Sequence, residues 1–330
     1  MRRRRFIAFI GIAGFALPLA VRAQPTPQIP KIGWLKIQGR LHTPSQLQAF
    51  REGMKALGLI EGRDFVLFER YADGDEKRLP GLAADLVKSG VTVIVATSQP
   101  SIAAAWRVTK SIPMIGRMVD DPVADGMAQS LARPGGNVTG IYTMTEEMNP
   151  KRLELLKEAV PSVRRVGVLM RQDFPSVNIA RRDWETAEAA AHRLAVELVA
   201  LNVTTAAEIT SAFEATSKRN IDGIMTFRNP TVVTYLDLIA ALSRKHRLPA
   251  IFDAREYVEA GGLMSYGPNI DKTYRQLAGF VPKLLQGTPP GELPIEEPGS
   301  FEFVVNKRTA DDIGVSLPQS LLIQANKVIG

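Results

Sequence analysis

Residues 91–101 read Val91-Thr92-Val93-Ile94-Val95-Ala96-Thr97-Ser98-Gln99-Pro100-Ser101. The first six form an apolar, β-branched run, the composition of a strand covered on both faces. A polar turn follows, and a helical pattern then occupies 101–109. The same alternation spreads in both directions. Upstream, a short apolar strand is expected at 32–37. A helix then starts with Thr43 as cap, Pro44 in the first turn and Gln46 able to reach back. Leu47, Phe50, Met54 and Leu57 recur at helical spacing, and Gly58 ends the run. A strand at 65–69 and a helix at 76–88 complete that side, with Leu79, Leu82, Ala83, Leu86 and Val87 on one helical face.

Downstream, the pattern predicts a strand at 112–115, a helix at 123–131, a turn at Pro134-Gly135-Gly136-Asn137 and a strand at 138–142. Asn149-Pro150 reads as the start of another helix, cap followed by proline. The order then restarts: Arg165-Val166-Gly167-Val168-Leu169 echoes Lys31-Ile32-Gly33-Trp34-Leu35. Strands are expected near 196–201, 221–227, 249–252 and 262–265, with helices between them. A helix at 270–285, a Gly/Pro-rich link at 287–298, an extended stretch at 301–305 and an apolar helix near 321–329 finish the chain. Strict alternation argues for parallel sheets with right-handed crossovers, and two rounds argue for two similar lobes. The fold class expected is therefore α/β, with two doubly wound parallel-sheet lobes. Crossing segments near 142–145, 265–269 and 287–298 would form a hinge. One lobe would hold 24–142 and about 269–290, the other 143–268 and about 291–330.

The chain has 330 residues, 45% apolar and 23% charged, ordinary values for a folded protein of two domains. It contains no cysteine, which excludes disulfide scaffolds, thiolate metal sites and a cysteine nucleophile. The three histidines, His42, His192 and His246, are far apart, so no metal centre and no cofactor is expected. The formal charge of +7 would suit nucleic acid, but much of it lies at the N-terminus. Arg2 to Arg5 precede an apolar run from Phe6 to Val21, and Val21-Arg22-Ala23 offers small residues to a signal peptidase. Residues 1–23 thus read as a signal peptide, by a Sec route or, from Arg3-Arg4-Arg5-Phe6-Ile7, a twin-arginine one. Removing its five arginines takes the formal charge from +7 to +2, and the case for a nucleic-acid partner goes with them.

Motifs for catalysis are missing. Gly135-Gly136 lies between helix and strand, the wrong order for a dinucleotide fingerprint. No phosphate loop occurs, and Leu263-Met264-Ser265-Tyr266-Gly267 lacks the first glycine of a hydrolase elbow. What remains is a set of polar loops at strand ends, where open α/β sheets bind ligands. They hold Lys36, Gln38 and Arg40 after the first strand, then Thr97, Ser98 and Gln99, then Asp120 and Asp121. In the second round they hold Gln172, Asp173 and Ser176, then Arg228 and Asn229, then Asp253, Arg255 and Glu256, and finally Tyr266. The helix start after Thr97 and Ser98 would present backbone N–H groups to a carboxylate, although the same hydroxyls serve equally as caps. Asp121, just before Pro122, suits either a ligand's ammonium or a cap.

Several strings resemble the substrate-binding proteins of ABC importers, in the group similar to tryptophan-type binding proteins. They include Phe50-Arg51-Glu52-Gly53-Met54-Lys55-Ala56-Leu57-Gly58, Asp121-Pro122-Val123, Pro134-Gly135-Gly136-Asn137-Val138-Thr139-Gly140 and Gly261-Gly262-Leu263-Met264-Ser265-Tyr266-Gly267-Pro268. The resemblance implies a type I periplasmic binding protein fold, a ligand cleft between the lobes and no catalysis. It implies a monomeric periplasmic protein that delivers a small molecule to an inner-membrane ABC permease. A sensor docking a signalling receptor, or a periplasmic enzyme on the same scaffold, are the alternatives. The ligand-binding set expected is Gln38, Thr97, Ser98, Gln99, Asp121, Thr145, Asp173, Ser176, Arg228, Asn229, Asp253, Arg255 and Tyr266. At Phe227-Arg228-Asn229-Pro230 relatives often carry an acidic residue, and at Met170-Arg171-Gln172-Asp173 they often read Asn-Pro. These departures keep tryptophan from being carried over, and Arg228 points instead to an amino acid or other carboxylate-bearing ligand. Mass analysis of exported protein should find Gln24 at its N-terminus; intact Met1 in a membrane fraction would overturn the cleavage.

Overall fold

A computed structural model describes residues 29–41, 44–119, 121–143, 145–172 and 177–330, the side chains of 145, 146 and 177–179 aside. The first round of alternation gives β1 (Lys31–Lys36), α1 (Pro44–Ala56), β2 (Val66–Tyr71), α2 (Leu79–Lys88), β3 (Val93–Ala96), α3 (Gln99–Val108), β4 (Met114–Met118) and β5 (Val138–Tyr142). The second gives α4 (Thr145–Ala159), β6 (Arg165–Met170), α5 (Val177–Arg193), β7 (Glu197–Asn202), α6 (Ala206–Glu214), β8 (Gly223–Thr226), α7 (Pro230–Thr234), α8 (Leu236–Lys245), β9 (Ala250–Phe252), α9 (Arg255–Glu259) and β10 (Met264–Pro268). Then come α10 (Ile270–Ala278), α11 (Phe280–Leu285), β11 (Phe301–Asn306), α12 (Lys307–Ile313), α13 (Gln319–Gln324) and β12 (Lys327–Ile329).

The first sheet is parallel, in the order β2-β1-β3-β4-β5. The second runs β12-β11-β10-β9-β8-β6-β7, parallel except where β11 meets β10 antiparallel. Strand order therefore reverses between β1 and β3 in one sheet and between β6 and β8 in the other. Each reversal opens a crevice at the carboxyl ends of its strands, because the two flanking crossovers leave on opposite faces.

Both faces of each sheet are covered. Ile32, Trp34, Val93 and Val95 pack on α1, α10 and α11, while Leu35, Ile94 and Ala96 meet Leu79, Ala83, Leu86 and Ile102 of α2 and α3. The Trp34 ring sits 5.4 Å from that of Phe50 and 5.7 Å from that of Tyr274. In the second sheet Val166, Val168 and Met225 face α4 and α5, and Leu169, Ile224 and Phe252 face α6 to α9. Helices α10 and α11 thus return to the first sheet after β10. The chain stays there through Ile295, whose N–H bonds to Leu131 O at 2.8 Å, and Glu296, which bonds to Gly140 O at 2.9 Å.

Four expectations need correction. Residues 123–131 form turns rather than a helix. Gly126 takes φ +70° and breaks the run, and the N–H groups of Met127 and Ala128 both fold back on Pro122 O. Helix α4 is already under way at Thr145, so Pro150 lies inside it and Asn149 is no cap. Instead Asn149 Oδ1 accepts a bond from Arg152 Nη1 at 2.6 Å. Residues 270–285 split into two helices at Gly279. The C-terminus ends in a strand, because the backbone N–H and Oδ1 of Asn326 both pair with Phe303 and draw 327–329 alongside β11.

The contact of α1 with α10 depends on Gly53. A Cβ there would meet Arg275 O at 2.7 Å and Ala278 Cβ at 2.8 Å. In an open helix, Gly→Ala stabilises by roughly 0.5–1 kcal/mol. Here overpacking reverses the sign, and Gly53→Ala should cost about 1–3 kcal/mol in urea unfolding. A stabilised variant would show that the helices can part without penalty.

Candidate functional site

The two crevices face each other across one cavity of about 400 Å³ of non-atom space, part of it continuous with solvent. The space open to water inside it is only about 30 Å³, well below the roughly 300–1,000 Å³ of small-molecule sites, so a ligand of that size needs the walls to move apart. From the first sheet it is lined by Gln38 beyond β1, Gln46 of α1, the Thr97-Ser98-Gln99-Pro100 turn, and Arg117 and Val119 of β4. From the second it is lined by Arg228, Asn229, Pro230 and Val233, the turn after β8 and the start of α7.

Local bonds explain most of this lining. Ser98 caps α3: its Oγ accepts from Ser101 N at 3.4 Å and lies 2.8 Å from Ser101 Oγ. Thr97 Oγ1 donates to Leu35 O at 3.3 Å. Asn229 caps α7 through Oδ1 and donates from Nδ2 to Phe227 O. Gln99 donates from Nε2 to Asp125 Oδ2 at 2.8 Å, while its Oε1 is buried without a partner.

Cations dominate the electrostatics. The Arg228 and Asp253 side chains, 8% and 1% exposed, form an ion pair. Burial lowers the Arg228 guanidinium, but the charges of Asp253 and Glu256 outweigh it and the net shift is upward. Arg117 is 5% exposed. Its Nη2 donates to Thr97 O at 3.2 Å; Nε and Nη1 are buried and make no well-formed hydrogen bond, although the Tyr274 hydroxyl lies close enough to favour the charged guanidinium. Burial, helped by the like charge of Arg228 and opposed by Tyr274, pulls this guanidinium below its ordinary range. Lys36 is buried beside the cavity, with Nζ donating to Gln46 Oε1 at 3.0 Å. Burial first, then the charge of Arg117, lowers its ammonium from 10.5 to about 7, while Glu256 opposes. Burial in turn pushes the Glu256 carboxyl up.

Of the residues expected at a site, Gln38, Thr97, Ser98, Gln99, Arg228 and Asn229 converge on the cavity. Asp253 is present as the partner of Arg228 and also lies 3.4 Å from Thr226 Oγ1. Asp121 does not line the cavity; its Oδ1 accepts from Val123 N at 2.9 Å and Ala124 N at 3.3 Å. Arg255 starts α9 away from the cavity lining, bonded to Asp271 at 2.6 Å and ion-paired with Glu259 at 3.2 Å. Tyr266 packs against the core of the second sheet, and its carbonyl accepts from Arg152 Nε at 2.7 Å. Asp173 and Ser176 lie outside the described residues, as does the Thr145 side chain. Sequence reading missed Arg117. The signal was an arginine inside Met114-Ile115-Gly116-Arg117-Met118, a strand covered on both faces, where a charge is rarely buried unpaired.

The family of ABC transporter substrate binding proteins matches residues 42–329. A tyrosine-binding protein of Clostridioides difficile is 26% identical over 269 residues, 81% of this chain and 76% of that one. A conserved domain protein from Vibrio cholerae superposes with TM-score 0.82 at 26% identity, covering 91% of this chain and all of that one (100%). The ABC domain of Streptococcus pneumoniae in complex with L-Trp superposes with TM-score 0.81 at 22% identity, over 91% and 99%. The fold is that of the type I periplasmic binding proteins.

Removing one partner of the Arg228–Asp253 pair leaves a buried charge uncompensated. Asp253→Asn should cost about 3–5 kcal/mol of unfolding free energy. A loss under about 1 kcal/mol, the level of exposed pairs, would mean that water reaches Arg228.

Proposed function

The chain belongs to the ABC transporter substrate-binding protein family, and from that premise we propose that it is exported to the periplasm. There it captures a small carboxylate-bearing molecule, an amino acid or other acid, between its lobes. It then hands this ligand to an ABC permease. Arg117 carries the reading: a cation with two unpartnered N–H groups lines a cavity between two sheet switch points. A carboxylate could bond Nε or Nη1, together with the second N–H of Nη2, as a fork contact, leaving one of the two still to be met. The start of α3, at the same cavity, adds a favourable dipole end. The relative named for tyrosine binding supports an amino acid or a similar small carboxylate-bearing molecule as ligand. The lobes would close by hinging about the segments after β5, after β10 and before β11.

Lys36 gives the test a signature. A bound anion raises the Lys36 ammonium above its value of about 7 in the free protein. The complex then holds more protons than its parts. Affinity is therefore highest below pH 7 and falls as pH rises, by at most about tenfold per unit for one proton. Calorimetric titration with a library of amino acids and carboxylic acids, in buffers of different ionisation enthalpy, should find saturable binding with proton uptake between pH 7 and 9. Turnover of any library member, or no ligand from the library or a cell extract, would overturn the reading. Binding without proton uptake would remove Lys36 from the site.

A further inference from the structure

Resting on that binding reading, we propose that the ligand is an organic anion of net negative charge, with its carboxylate on Arg117, rather than a zwitterionic amino acid. Lys36, Arg117 and Arg228 converge on one region, and Arg152, fully buried, stands behind them. Asp253 is committed to Arg228, and its charge also reaches Arg152. Glu256 is shared between Lys36 and Arg228. Asp183 also acts on Arg152, Asp253 also acts on Arg117, and Lys36 is only partly charged near pH 7, so the wider cluster is close to balanced. Among the described lining residues, however, the charged groups are Arg117 and Arg228, and Arg117 has no carboxylate bonded to it.

A carboxylate supplies the missing charge in either kind of ligand. An α-amino acid brings an ammonium with it, beside two lining arginines and away from water, where an unpaired charge is costly. Among the described lining residues no carboxylate is present to receive it. Asp121, the natural candidate, is turned to the N–H groups of Val123 and Ala124. What the cavity does offer beside Arg117 is Gln99 Oε1, a buried neutral acceptor without a donor. Its orientation is fixed, because Nε2 must donate to Asp125. A hydroxyl satisfies such an oxygen without importing charge. The lining therefore matches a 2-hydroxy acid better than the corresponding amino acid.

Matched pairs differing only at that group decide the matter: 4-hydroxyphenyllactate against tyrosine, indole-lactate against tryptophan, malate against aspartate. Calorimetric titration at pH 7 should give the hydroxy acid at least tenfold the affinity of its amino acid in whichever skeleton fits. Equal or tighter binding of the amino acid would overturn the proposal and leave solute binding intact. Native mass spectrometry of protein purified without refolding extends the test to skeletons outside the panel, and a co-purified ammonium-bearing ligand would also overturn it. Binding by nothing in the panel or a cell extract would overturn the binding reading itself, and this inference with it. Arg117→Gln should lose at least a hundredfold in affinity for the preferred anion. The empty variant should melt no lower than the parent, since it removes a buried unpartnered charge. A variant that melts lower and binds as before would assign Arg117 a purely structural role.

Discussion

A guanidinium taken out of water must find anions or carbonyls, and this requirement organises the region where the two sheets meet. Three arginines are buried there, and each is treated differently. Arg152 spends its N–H groups on Tyr266 O and Asn149 Oδ1, which ties α4 to β10. Arg228 takes Asp253 from the neighbouring strand end, which ties β8 to the turn after β9. Arg117 has one carbonyl bond, to Thr97, and two N–H groups with no partner. The first two are structural solutions to burial. The third leaves a cost unpaid inside a cavity, and a binding site is one place where such a cost persists.

The topology explains why these charges share one place. In a doubly wound sheet the crevice opens where successive crossovers leave on opposite faces. In the first sheet that point lies between β1 and β3, so Gln38 and the turn Thr97-Ser98-Gln99 flank it, with Arg117 one strand further on. In the second it lies between β6 and β8, which brings in Arg228 and Asn229. The residues before each reversal are β-branched or aliphatic because both faces are covered. Most polar groups of the cavity begin where the strand leaves its helices; Arg117, inside β4, is the exception.

That contrast is why the fold was legible in the sequence and the site only partly so. A run such as Val93-Ile94-Val95-Ala96 admits few environments, and Gly58 at φ +80° ends α1 where the periodicity stops. Boundaries set by a single side chain were less legible. Asn149-Pro150 carries a cap signature, yet the long-range demand of Arg152 takes the asparagine side chain. Asn326 ends a helical pattern by pairing with Phe303, a partner 23 residues away. In the site, residues on turns were found because turns expose them. Arg117 was passed over because its strand reads as apolar, and the role of Asp121 turns on a rotamer that sequence does not specify.

The same charges bear on how the lobes would be held together. Where the chain crosses between sheets, Arg255 reaches Asp271 and Glu259, and Asn269 donates to Glu302 at 2.7 Å. These contacts join residues next to the crossings, so a rotation about them would change their distances little. Across the gap itself, Arg171 Nη1 meets Glu76 Oε1 at 2.8 Å, with side-chain exposures of 17% and 38%. A pair so near solvent contributes about 0–1 kcal/mol. Converting a largely open population to a largely closed one takes about 5.5 kcal/mol of preference for the closed form. The surface pair falls well short of that. A ligand carboxylate on Arg117 would differ in kind, because it would meet a guanidinium that is 5% exposed rather than one held in water. If the lobes close as proposed, its attraction would be strongest in the closed arrangement, and this difference between states, rather than total affinity, would drive closure.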